Sequence, residues 1–414
     1  MERILVEHPL GDDALRLFAS AYGTPLYLYD ARSVVDRVRR LREVLPSGIE
    51  LCYAMKANTF LLPEVASLVN RVEVCSPGEL RICRALDIPT GQIVVSGVYK
   101  DDQTVDEALA HRALPAAVTV ESAAQLDLVA RAAAARGVRV PVLLRVTSGN
   151  QFGLDPDELP GIIRRLGEAP HLELRGLQFF SGTQKTSLKR IAREVARLDE
   201  LIARLEEATG QAIAELEYGP GLPVSYFAGD DFDEDAYLAA FSGMLAGMAF
   251  GGRITLELGR SLVASSGTYL TSVVDTKVNR GQRYAIVDGG MHQLVYYGQS
   301  MAMRQPHVRV LGREGVPGAG SQEGEGADAC RWTVCGALCT VNDLIVKQAQ
   351  LGALEPGDIL AFANVGAYSA TEGIALFLSR DLPRVVRIGF DGTAELVRDG
   401  LGTDVLNTPL PSLP

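Results

Sequence analysis

The sequence predicts a closed barrel of eight parallel β-strands and eight helices, followed by a mostly antiparallel β domain. Two observations lead to this fold class. Residues 25–265 alternate between short apolar runs rich in β-forming residues and longer segments rich in Ala, Leu and Arg. Residues 266–414 instead have the pattern of strands separated by turns, with almost no helix. Alternating β and α elements predict a parallel sheet, and eight such units favour its closure into a barrel.

Eight apolar runs in the first region have the length and composition of buried strands. They are Glu50–Ala54, Val72–Cys75, Ile93–Ser96, Ala116–Val120, Val140–Val146, Leu174–Phe180, Leu216–Tyr218 and Arg253–Glu257. An open, doubly wound sheet is the structural alternative. That alternative lacks the GxGxxG motif after its first strand, so we expect the closed barrel.

The segments between these runs have helical periodicity and recognisable ends. Two examples are "AAQLDLVARAAAARG" and "LKRIAREVARLDELIARLEEATG", each of which ends in glycine. Glycine readily takes the left-handed conformation that closes a helix C-terminus. These segments therefore predict the helices of the barrel.

The second region contains five stretches with the pattern of strands. They are "GTYLTSVVDTKV", "RYAIVDGG", "WTVCGALC", "DILAFANVGAY" and "VRIGFDGTAELVRDG". Between them, Gly312–Ala327 is rich in Gly and Glu and predicts a surface loop. We predict a barrel domain at 25–265 and a β domain at 266–414, to which residues 1–24 contribute.

Composition and charge argue against several classes of protein. The chain of 414 residues carries a net charge of −11, whereas nucleic-acid-binding surfaces are basic. No apolar run is long enough to span a membrane, and the first residues do not resemble a signal peptide. The six cysteines form no CxxC pair and only five histidines occur, so we expect no metal site. We predict a cytoplasmic protein.

Lys56 ends the first predicted strand, in the stretch "CYAMKAN". The run before it, Ile49–Met55, is apolar enough to be buried on both faces. Burial disfavours the charged form of an amine and lowers its pKa, which suits an amine that forms an imine. Catalytic groups of such barrels lie at the C-terminal ends of the strands. A solvated rim lysine is the alternative interpretation.

Further polar groups are predicted at the same rim. Gly182-Thr183 and Gly219-Pro220-Gly221 form glycine-bearing turns just past strands, where backbone N–H groups can approach an anion. Thr183 and Arg260 suit a phosphate, and Glu257 supplies a carboxylate. A lysine, a phosphate site and a carboxylate that pairs with the pyridine nitrogen are what pyridoxal 5′-phosphate requires.

Several motifs resemble, in order and spacing, those of the fold-type III pyridoxal-phosphate decarboxylases, which include diaminopimelate and ornithine decarboxylases. They are "YAMKAN", "VEVCSPGEL", "GTQ", "LELGRSLVASSG", "VDGGM", "CGALCTVND" and "GAYS", and the match covers nearly the whole chain. The resemblance implies an alanine-racemase-like barrel followed by a β domain. It also implies a homodimer with shared active sites and a decarboxylase of amino acids that uses pyridoxal phosphate.

The resemblance further implies roles for individual residues. Lys56 is the expected Schiff-base lysine, Glu257 the partner of the pyridine nitrogen, and Cys339 a proton donor that acts across the dimer interface. A buried β-domain cysteine is the alternative for Cys339. The other cofactor contacts that we predict are Phe180, Thr183, Gly219, Gly221, Gly259, Arg260, Tyr368 and Arg145.

Two departures from the family concern the cofactor. Phe180 stands where the family usually has a histidine stacked on the cofactor ring, and phenylalanine can stack but cannot titrate. Pro220 replaces the middle glycine of the usual triple-glycine turn, which removes one N–H donor. We therefore expect the phosphate to depend more on Thr183 and the flanking glycines.

Two further departures concern the distal end of the substrate. Thr340 replaces the acidic residue that follows the catalytic cysteine in the family, and a neutral hydroxyl cannot balance a buried ammonium group. Asp343 is the nearby residue that could compensate. "VDGGMHQLVYYG" lacks the arginine that grips the distal carboxylate of diaminopimelate, and His292, Tyr296 and Tyr297 stand there instead. We predict that these five residues contact substrate, although His292 has a packing role as its alternative.

"GGMH", "GTQ" and "LCT" resemble the butirosin-type decarboxylase, which acts on a glutamyl group tethered to an acyl carrier protein. A thioester leaves no free distal charge to pair. We therefore predict α-decarboxylation of an amino acid without a free distal amine, carried on an acyl carrier protein in secondary-metabolite biosynthesis. Carrier proteins are usually acidic, and the arginines of "DRVRRLREV" and "IIRRLG" are candidate docking residues, with solvated helix faces as their alternative.

Three other functions stay open. A decarboxylase of a free amino acid, similar to diaminopimelate decarboxylase, would use the same machinery. A racemase of the same fold is disfavoured by Glu257 and by the motif around Cys339. A non-catalytic protein that binds pyridoxal phosphate is disfavoured by the second domain, because such homologues are generally single barrels.

Overall fold

The computed structural model describes residues 4–110, 113–311 and 331–409, and the chain divides into two compact units. We call them the barrel unit (Asp36–Val224 and Phe232–Leu262) and the sheet unit (Met1–Val35, Ser225–Asp231 and Val263–Pro414). This division does not test independent folding, so the domain bounds predicted from the sequence stay a prediction. The loop predicted at 312–327 lies outside the described residues.

Strands and helices are numbered here along the chain. The strands are β1 Leu26–Asp30, β2 Glu50–Ala54, β3 Arg71–Val74, β4 Ile93–Val95, β5 Ala117–Val120, β6 Val140–Val146, β7 Leu172–Phe180, β8 Glu215–Gly219, β9 Arg253–Leu258, β10 Gly267–Asn279, β11 Gln282–Val287, β12 Val308–Val310, β13 Arg331–Cys335, β14 Leu344–Gln350, β15 Ile359–Ala363, β16 Arg384–Ile388 and β17 Ala394–Arg398. The helices are α1 Asp12–Tyr22, α2 Ala31–Val44, α3 Leu62–Leu68, α4 Pro77–Ala85, α5 Asp102–Leu109, α6 Ala123–Arg136, α7 Leu159–Glu168, α8 Leu188–Thr209, α9 Glu234–Ala246, α10 Arg260–Val263 and α11 Asp404–Asn407.

The barrel unit is built on a closed barrel of eight parallel strands, β2 to β9, which confirms the predicted fold. Each strand pairs with the next, and β2 pairs with β9 to close the barrel. All seven residues of β6 are buried, as are all four of β3 and β5. Strands covered on both faces appear in the sequence as continuous apolar runs, which is why these eight could be predicted.

Local signals in the sequence set the helix ends of the barrel unit. The Ser76 hydroxyl accepts a hydrogen bond from the Glu79 N–H at 3.1 Å and caps α4, so "SPGEL" turns the chain immediately after β3. Gly137 and Gly210 follow α6 and α8 with φ values of +63° and +67°. Both glycines lie where the sequence predicts helix ends, and a side chain would disfavour this left-handed conformation.

The sheet unit contains a nine-stranded, mostly antiparallel sheet, as predicted for the C-terminal region. Its main order is β14-β13-β11-β10-β1-β16-β17, and β15 pairs with both β10 and β12. Strand β1 comes from the region that the sequence places in the barrel, yet it pairs with β10 and β16. Its sequence, "LYLYD", is as apolar as a barrel strand, so only long-range pairing decides where it lies. No helix among the described residues has the length and apolar character needed to cross a membrane.

Candidate active site

Lys56 lies in a short 3₁₀ turn, Met55–Ala57, directly after β2. Its Nζ donates a hydrogen bond to Glu73 Oε2 and lies 3.7 Å from Glu257 Oε1 and 3.5 Å from Cys75 Sγ. The lysine side chain is 39% exposed, whereas those of Glu73 and Glu257 are 2% and 9% exposed. The strand before Lys56 is buried as predicted, but the amine is only partly desolvated and faces carboxylates that favour its ammonium form.

Glu73 is a candidate site residue that the sequence alone does not single out. It lies on β3, where every residue is buried. Burial alone would raise its pKa, but the charge of Lys56 and hydrogen bonds from Lys56 and Ser96 lower that pKa to about 2. An ionised group inside a buried strand is costly unless it is paired. An acidic residue inside the otherwise apolar run "VEVC" was therefore the sequence signal that could have identified Glu73 as a site residue.

Glu257 is the second carboxylate beside Lys56. Burial and the negative charge of Glu73 raise its pKa to about 7, against the opposing influence of Lys56 and Arg145. The two carboxylates share one environment but differ in charge, because one lysine cannot stabilise two buried anions equally. A cation placed against Glu257 would favour its ionised form.

The two predicted phosphate turns meet beside the same rim. Gly221 has φ +64°, and a Cβ at this position would collide with the carbonyl oxygen of Gly182. Arg260 Nε donates to Thr183 Oγ1 at 3.3 Å. Gly259 directly precedes Arg260 at the start of α10. The structure thus brings together a hydroxyl, a guanidinium and two closely packed backbone turns, a donor set that suits an anion.

Phe180 is the last residue of β7 and packs on the second of these turns. A Cβ at Gly219 would lie 2.6 Å from Phe180 Cδ2, so glycine is needed for the ring to take this place. The ring is partly exposed. Its position beside the turn supports the predicted stacking role, which stays a prediction.

A buried ion pair braces these turns and was not predicted. Lys185 Nζ lies 2.6 Å from Glu194 Oε2 and donates to Ser181 Oγ at 2.9 Å, with its side chain only 3% exposed. Tyr218 OH donates to the same Glu194 oxygen at 3.0 Å, and the Lys185 N–H donates to Gly221 O at 3.0 Å. The pair joins the loop after β7 to α8, β8 and the Gly221 turn. The sequence carries no signal for it, because Glu194 is one of many charged residues along the amphipathic helix α8.

Arg145, a predicted cofactor contact, is buried near the end of β6. Its Nη1 lies 3.3 Å from Glu121 Oε1, and its guanidinium carbon is 4.6 Å from the centre of the Phe152 ring. Glu121 Oε2 also accepts the Gly153 N–H at 3.1 Å. These contacts bind Arg145 to the loop after β6. A direct contact with the cofactor stays a prediction.

In the sheet unit, Asp343 organises the loop "CGALCTVND". Its carboxylate accepts hydrogen bonds from the N–H groups of Met291 and Leu338, both at 2.7 Å, and the residue is 2% exposed. Gly290 and Gly336 pack so closely on this carboxylate that a Cβ on either would collide with it. Cys339 remains exposed on the loop. Both Asp343 oxygens therefore accept backbone N–H groups, which favours a structural role for Asp343 over contact with the substrate.

The other predicted substrate contacts of the sheet unit differ in burial. His292 is 3% exposed, and neither ring nitrogen has a hydrogen-bond partner among the described residues. Burial lowers its pKa, although Asp343 opposes this effect. Tyr296 is 5% exposed and donates to Ala363 O at 2.7 Å, so it packs as a core residue of this unit. Tyr297 is exposed.

Tyr368 has a left-handed backbone conformation, with φ +67°. Its carbonyl accepts the N–H groups of Thr371 and Glu372 at 2.8 and 2.9 Å. A non-glycine residue pays about 1–2 kcal/mol for this conformation, and such strain is concentrated at ligand-binding and catalytic sites. Nine other non-glycine residues among those described also have a positive φ, so the phosphate contact of Tyr368 stays a prediction.

Comparison with known proteins identifies the family. Residues 31–264, more than half of the chain, match the model of the pyridoxal-dependent decarboxylase, pyridoxal binding domain. A diaminopimelate decarboxylase from Pseudomonas aeruginosa is 32% identical over 86% of this chain and 85% of its own length. The chain belongs to the pyridoxal-dependent decarboxylases. Its cofactor is pyridoxal 5′-phosphate, and its activity is the decarboxylation of an amino acid.

Other relatives agree with this family. A diaminopimelate decarboxylase from Zymomonas mobilis is 27% identical over 92% of both chains. An L-glutamyl-[BtrI acyl-carrier protein] decarboxylase from Niallia circulans is 27% identical over 94% of both chains. The solved diaminopimelate decarboxylase from M. jannaschii, in complex with L-lysine, has a TM-score of 0.82 at 23% identity and covers 96% of this chain and 94% of its own. That last likeness establishes the fold.

The barrel residues of this decarboxylase fit pyridoxal phosphate. Lys56 offers an amine at the rim, and Glu257 offers a carboxylate within 4 Å of it. The Gly182 and Gly221 turns approach each other more closely than side chains would allow, beside Thr183 and Arg260. When bound, the cofactor supplies an electron sink for the electron pair left by the departing carboxyl group. Among the described residues, no group of three His, Cys, Asp or Glu side chains could hold a metal ion.

The arginines proposed to dock an acidic carrier are paired within the barrel unit. Their partners are Glu234 for Arg37 at 2.9 Å, Asp36 for Arg39 at 3.1 Å, Asp235 for Arg40 at 2.5 Å, Leu68 O for Arg42 at 2.7 Å, Ala208 O for Arg164 at 3.1 Å and Asp127 for Arg165 at 2.6 Å. Pairing with acidic groups on the same surface reduces the positive potential that a carrier would meet. The alternative interpretation, a solvated helix face, is therefore favoured.

The stability of the cofactor-free decarboxylase is expected to fall as pH rises from about 5 to about 7. In the folded state Glu257 keeps its proton up to about pH 7, whereas an ordinary glutamate loses it near 4.5. The folded state then binds more protons than the unfolded state, so the free energy of unfolding decreases by up to about 3 kcal/mol across this window. Glu73, with a pKa of about 2, changes stability only below this window.

Urea denaturation of the cofactor-free protein at several pH values measures this effect. The Glu257→Gln variant cannot titrate at this position and should show a smaller decline, although Glu217, whose pKa is also raised, still contributes to it. Equal pH dependence in the two proteins would contradict the raised pKa of Glu257.

Proposed function

We propose that this decarboxylase removes the α-carboxyl group of an amino acid without a free distal amine, and that the amino acid is carried on an acyl carrier protein of a secondary-metabolite pathway. The observation that carries the proposal is Asp343. It was the residue expected to compensate for the neutral Thr340, yet both its oxygens accept backbone N–H groups and it is buried. A distal ammonium group near Thr340 would then lack a carboxylate partner, which is unfavourable in a desolvated site.

Two further points support a neutral distal pocket. Tyr296 stands in the segment where diaminopimelate decarboxylases have a carboxylate-binding arginine, and its hydroxyl is bound to Ala363 O. The relative from Niallia circulans is named as acting on a glutamyl group attached to a carrier protein. Relatives named diaminopimelate decarboxylase favour a second candidate, decarboxylation of free diaminopimelate.

The proposed roles of the barrel residues follow from their contacts. Lys56 Nζ is the amine that would hold the cofactor. Glu73 stays ionised at neutral pH and holds the ammonium group of Lys56 in place. Its side chain is 2% exposed and accepts a hydrogen bond from Lys56 Nζ. Glu257 would pair in its ionised form with the ring nitrogen of the cofactor. Thr183, Arg260 and the glycine turns hold the phosphate.

Cys339 is proposed to protonate the substrate carbon after carbon dioxide has left. We further propose that Cys339 serves the active site of a second copy of the chain in a homodimer. Its exposure within one chain supports this role, because a residue that acts in another subunit must be accessible. A general acid at this point contributes about 10²–10⁴-fold to the rate.

A substrate comparison tests the proposal directly. Purified enzyme with bound cofactor is incubated with L-glutamyl acyl carrier protein, free L-glutamate, free meso-diaminopimelate and free L-ornithine, and loss of carbon dioxide is followed by mass spectrometry. We expect turnover of the carrier-bound substrate and at least about 10-fold lower kcat/KM for every free diamino acid, because a missing charged hydrogen bond costs about 1.5–3 kcal/mol. Rapid turnover of free diaminopimelate would establish the second candidate instead.

Thr340→Glu supplies the matched variant, since it restores an acidic residue after Cys339. It should raise kcat/KM for diamino acids about 10-fold or more and reduce it for the carrier-bound substrate. Val341→Glu is the control, because Val341 is 89% exposed and receives the same charge one residue away. If both variants behave alike, Thr340 does not determine the substrate.

A further inference from the structure

Three buried polar residues lie in the barrel interior next to Glu257. Gln178 on β7, Glu217 on β8 and Thr255 on β9 are each 0% exposed. They are direct partners in the pairing of these strands, Gln178 with Glu217 and Glu217 with Thr255. Paired residues of parallel strands point to the same face, so the three form one layer. The proposed reaction uses none of them.

Gln178 joins two carboxylates through a single amide group. Its Nε2 donates to Glu217 Oε1 at 3.3 Å and to Glu257 Oε2 at 3.2 Å. A primary amide has two N–H bonds, so one nitrogen can serve both acceptors. The other Glu257 oxygen, Oε1, is the one that lies 3.7 Å from Lys56 Nζ. Gln178 therefore holds the inner oxygen of Glu257 and leaves the outer oxygen facing the rim.

Glu217 shares the cation Arg71 with Glu215. Its Oε2 has no hydrogen-bond partner among the described residues, and the Arg71 guanidinium, 3.9 Å away, is bound through both terminal nitrogens to Glu215. The charged groups that face Glu217 are Glu257, Glu73 and Glu215, with Arg71 as the opposing cation. Burial and these carboxylates raise its pKa well above the ordinary value. The surroundings of Glu217 therefore favour its neutral carboxylic acid form.

A neutral partner has a specific advantage beside Glu257. A second anion at this distance would oppose ionisation of Glu257, and an arginine would neutralise the charge that has to face the cofactor ring. An amide anchored by a neutral acid orients the Glu257 carboxylate and leaves its charge available. Desolvation strengthens such oriented hydrogen bonds, because the surrounding interior screens them weakly.

We propose that Gln178 and Glu217 are positioning residues of the decarboxylase: neutral Glu217 anchors the amide of Gln178, which fixes the Glu257 carboxylate toward the ring nitrogen of the cofactor. This inference rests on the role of Glu257 in the proposed function. It adds two residues behind that carboxylate and states the protonation state that one of them must have.

Infrared difference spectroscopy tests the protonation state. The spectrum of wild type minus Glu217→Gln at neutral pH, with cofactor bound, should contain the C=O stretching band of a protonated carboxyl group. Glutamine keeps the size and the acceptor oxygen, so this variant should retain cofactor affinity within about 2-fold and an unchanged cofactor absorption spectrum. Absence of the protonated carboxyl band would overturn the proposal for Glu217.

Gln178→Leu tests the positioning role, because it removes the amide and keeps a similar volume. We expect kcat to fall about 10- to 100-fold with KM nearly unchanged, as for loss of a hydrogen bond to a charged group. The cofactor absorption spectrum should also change its pH dependence, since Glu257 loses its anchor. Thr255→Val is the control in the same buried layer, and its hydroxyl has no partner among the described residues.

The outcomes separate this inference from the proposed function. If Gln178→Leu matches Thr255→Val in kcat and spectrum while Glu257→Gln is strongly impaired, the positioning role fails and the role of Glu257 stands. If Glu257→Gln is itself fully active, the proposed role of Glu257 fails, and the inference fails with it. Circular dichroism and thermal unfolding identify a misfolded variant. In that case Gln178→Met, which has no hydrogen-bond donor in its side chain, should give the same loss of kcat, and wild-type kcat would overturn the proposal.

Discussion

Replacing Lys56 with alanine is expected to abolish both decarboxylation and covalent attachment of the cofactor. The amine is the proposed attachment point at the rim, and Glu73 and Glu257 lie within 4 Å of it. Wild-type enzyme should absorb near about 420 nm through the lysine-bound cofactor, and the variant should lose this band. Absorbance together with release of carbon dioxide measures the result.

Lys100 provides the internal control for this assignment. It is buried in the same unit, and desolvation lowers its pKa to about 8. A less basic amine is chemically suited to react with a carbonyl, so Lys100 is the rival attachment site. Borohydride reduction followed by peptide mass spectrometry should place the cofactor on Lys56. Label on Lys100, or a surviving band in Lys56→Ala, would refute the central role of Lys56.

Replacing Cys339 with alanine is expected to produce the second-largest loss of activity, about 10²–10⁴-fold in kcat, while the cofactor still binds. The expected cause is loss of the proton donor. Cys335 is the matched control, since it lies at the end of β13 just before the same loop. Cys335→Ala should keep nearly full activity. If both cysteine variants keep nearly full activity, neither thiol donates the proton.

Mixing the two inactive proteins tests whether active sites are shared. In a mixed dimer of Lys56→Ala and Cys339→Ala subunits, one site carries both substitutions and the other carries neither. Random exchange should therefore restore about a quarter of wild-type activity. Size-exclusion chromatography confirms the dimer. If dimers exchange subunits and no activity returns, Cys339 acts within its own chain or not at all.

The barrel was predictable because its evidence is local. Each strand is a short apolar run, and each following helix carries its own end signals, such as Ser76 before α4 and Gly210 after α8. The rim residues followed from one geometric rule, that polar groups at the C-terminal ends of parallel strands converge. Lys56, Glu257 and Thr183 were found in this way. Strand β1 was not placed, because apolar composition does not say which distant strand it pairs with.

The partners of these rim residues could not be predicted. Glu73 lies 17 residues from Lys56 along the chain, and Gln178 lies 79 residues from Glu257. Lys185 and Glu194 resemble the many other charged residues around α8 until the fold buries them together. From its sequence position, Asp343 was a candidate to pair with a charge on the substrate. In the structure its carboxylate instead accepts hydrogen bonds from the N–H groups of Met291 and Leu338. In each case the deciding quantity is a distance that only the folded chain sets.

The sequence by itself determined the fold class, the family and the lysine, carboxylate and phosphate turns at the barrel rim, because periodicity, turn chemistry and motif order are properties of neighbouring residues. The tertiary structure alone decided which carboxylates lie beside Lys56, which acidic groups are buried together and which charges are already paired. Those properties depend on burial and on charges brought within a few ångströms, where the low dielectric of the barrel interior makes each contact strong.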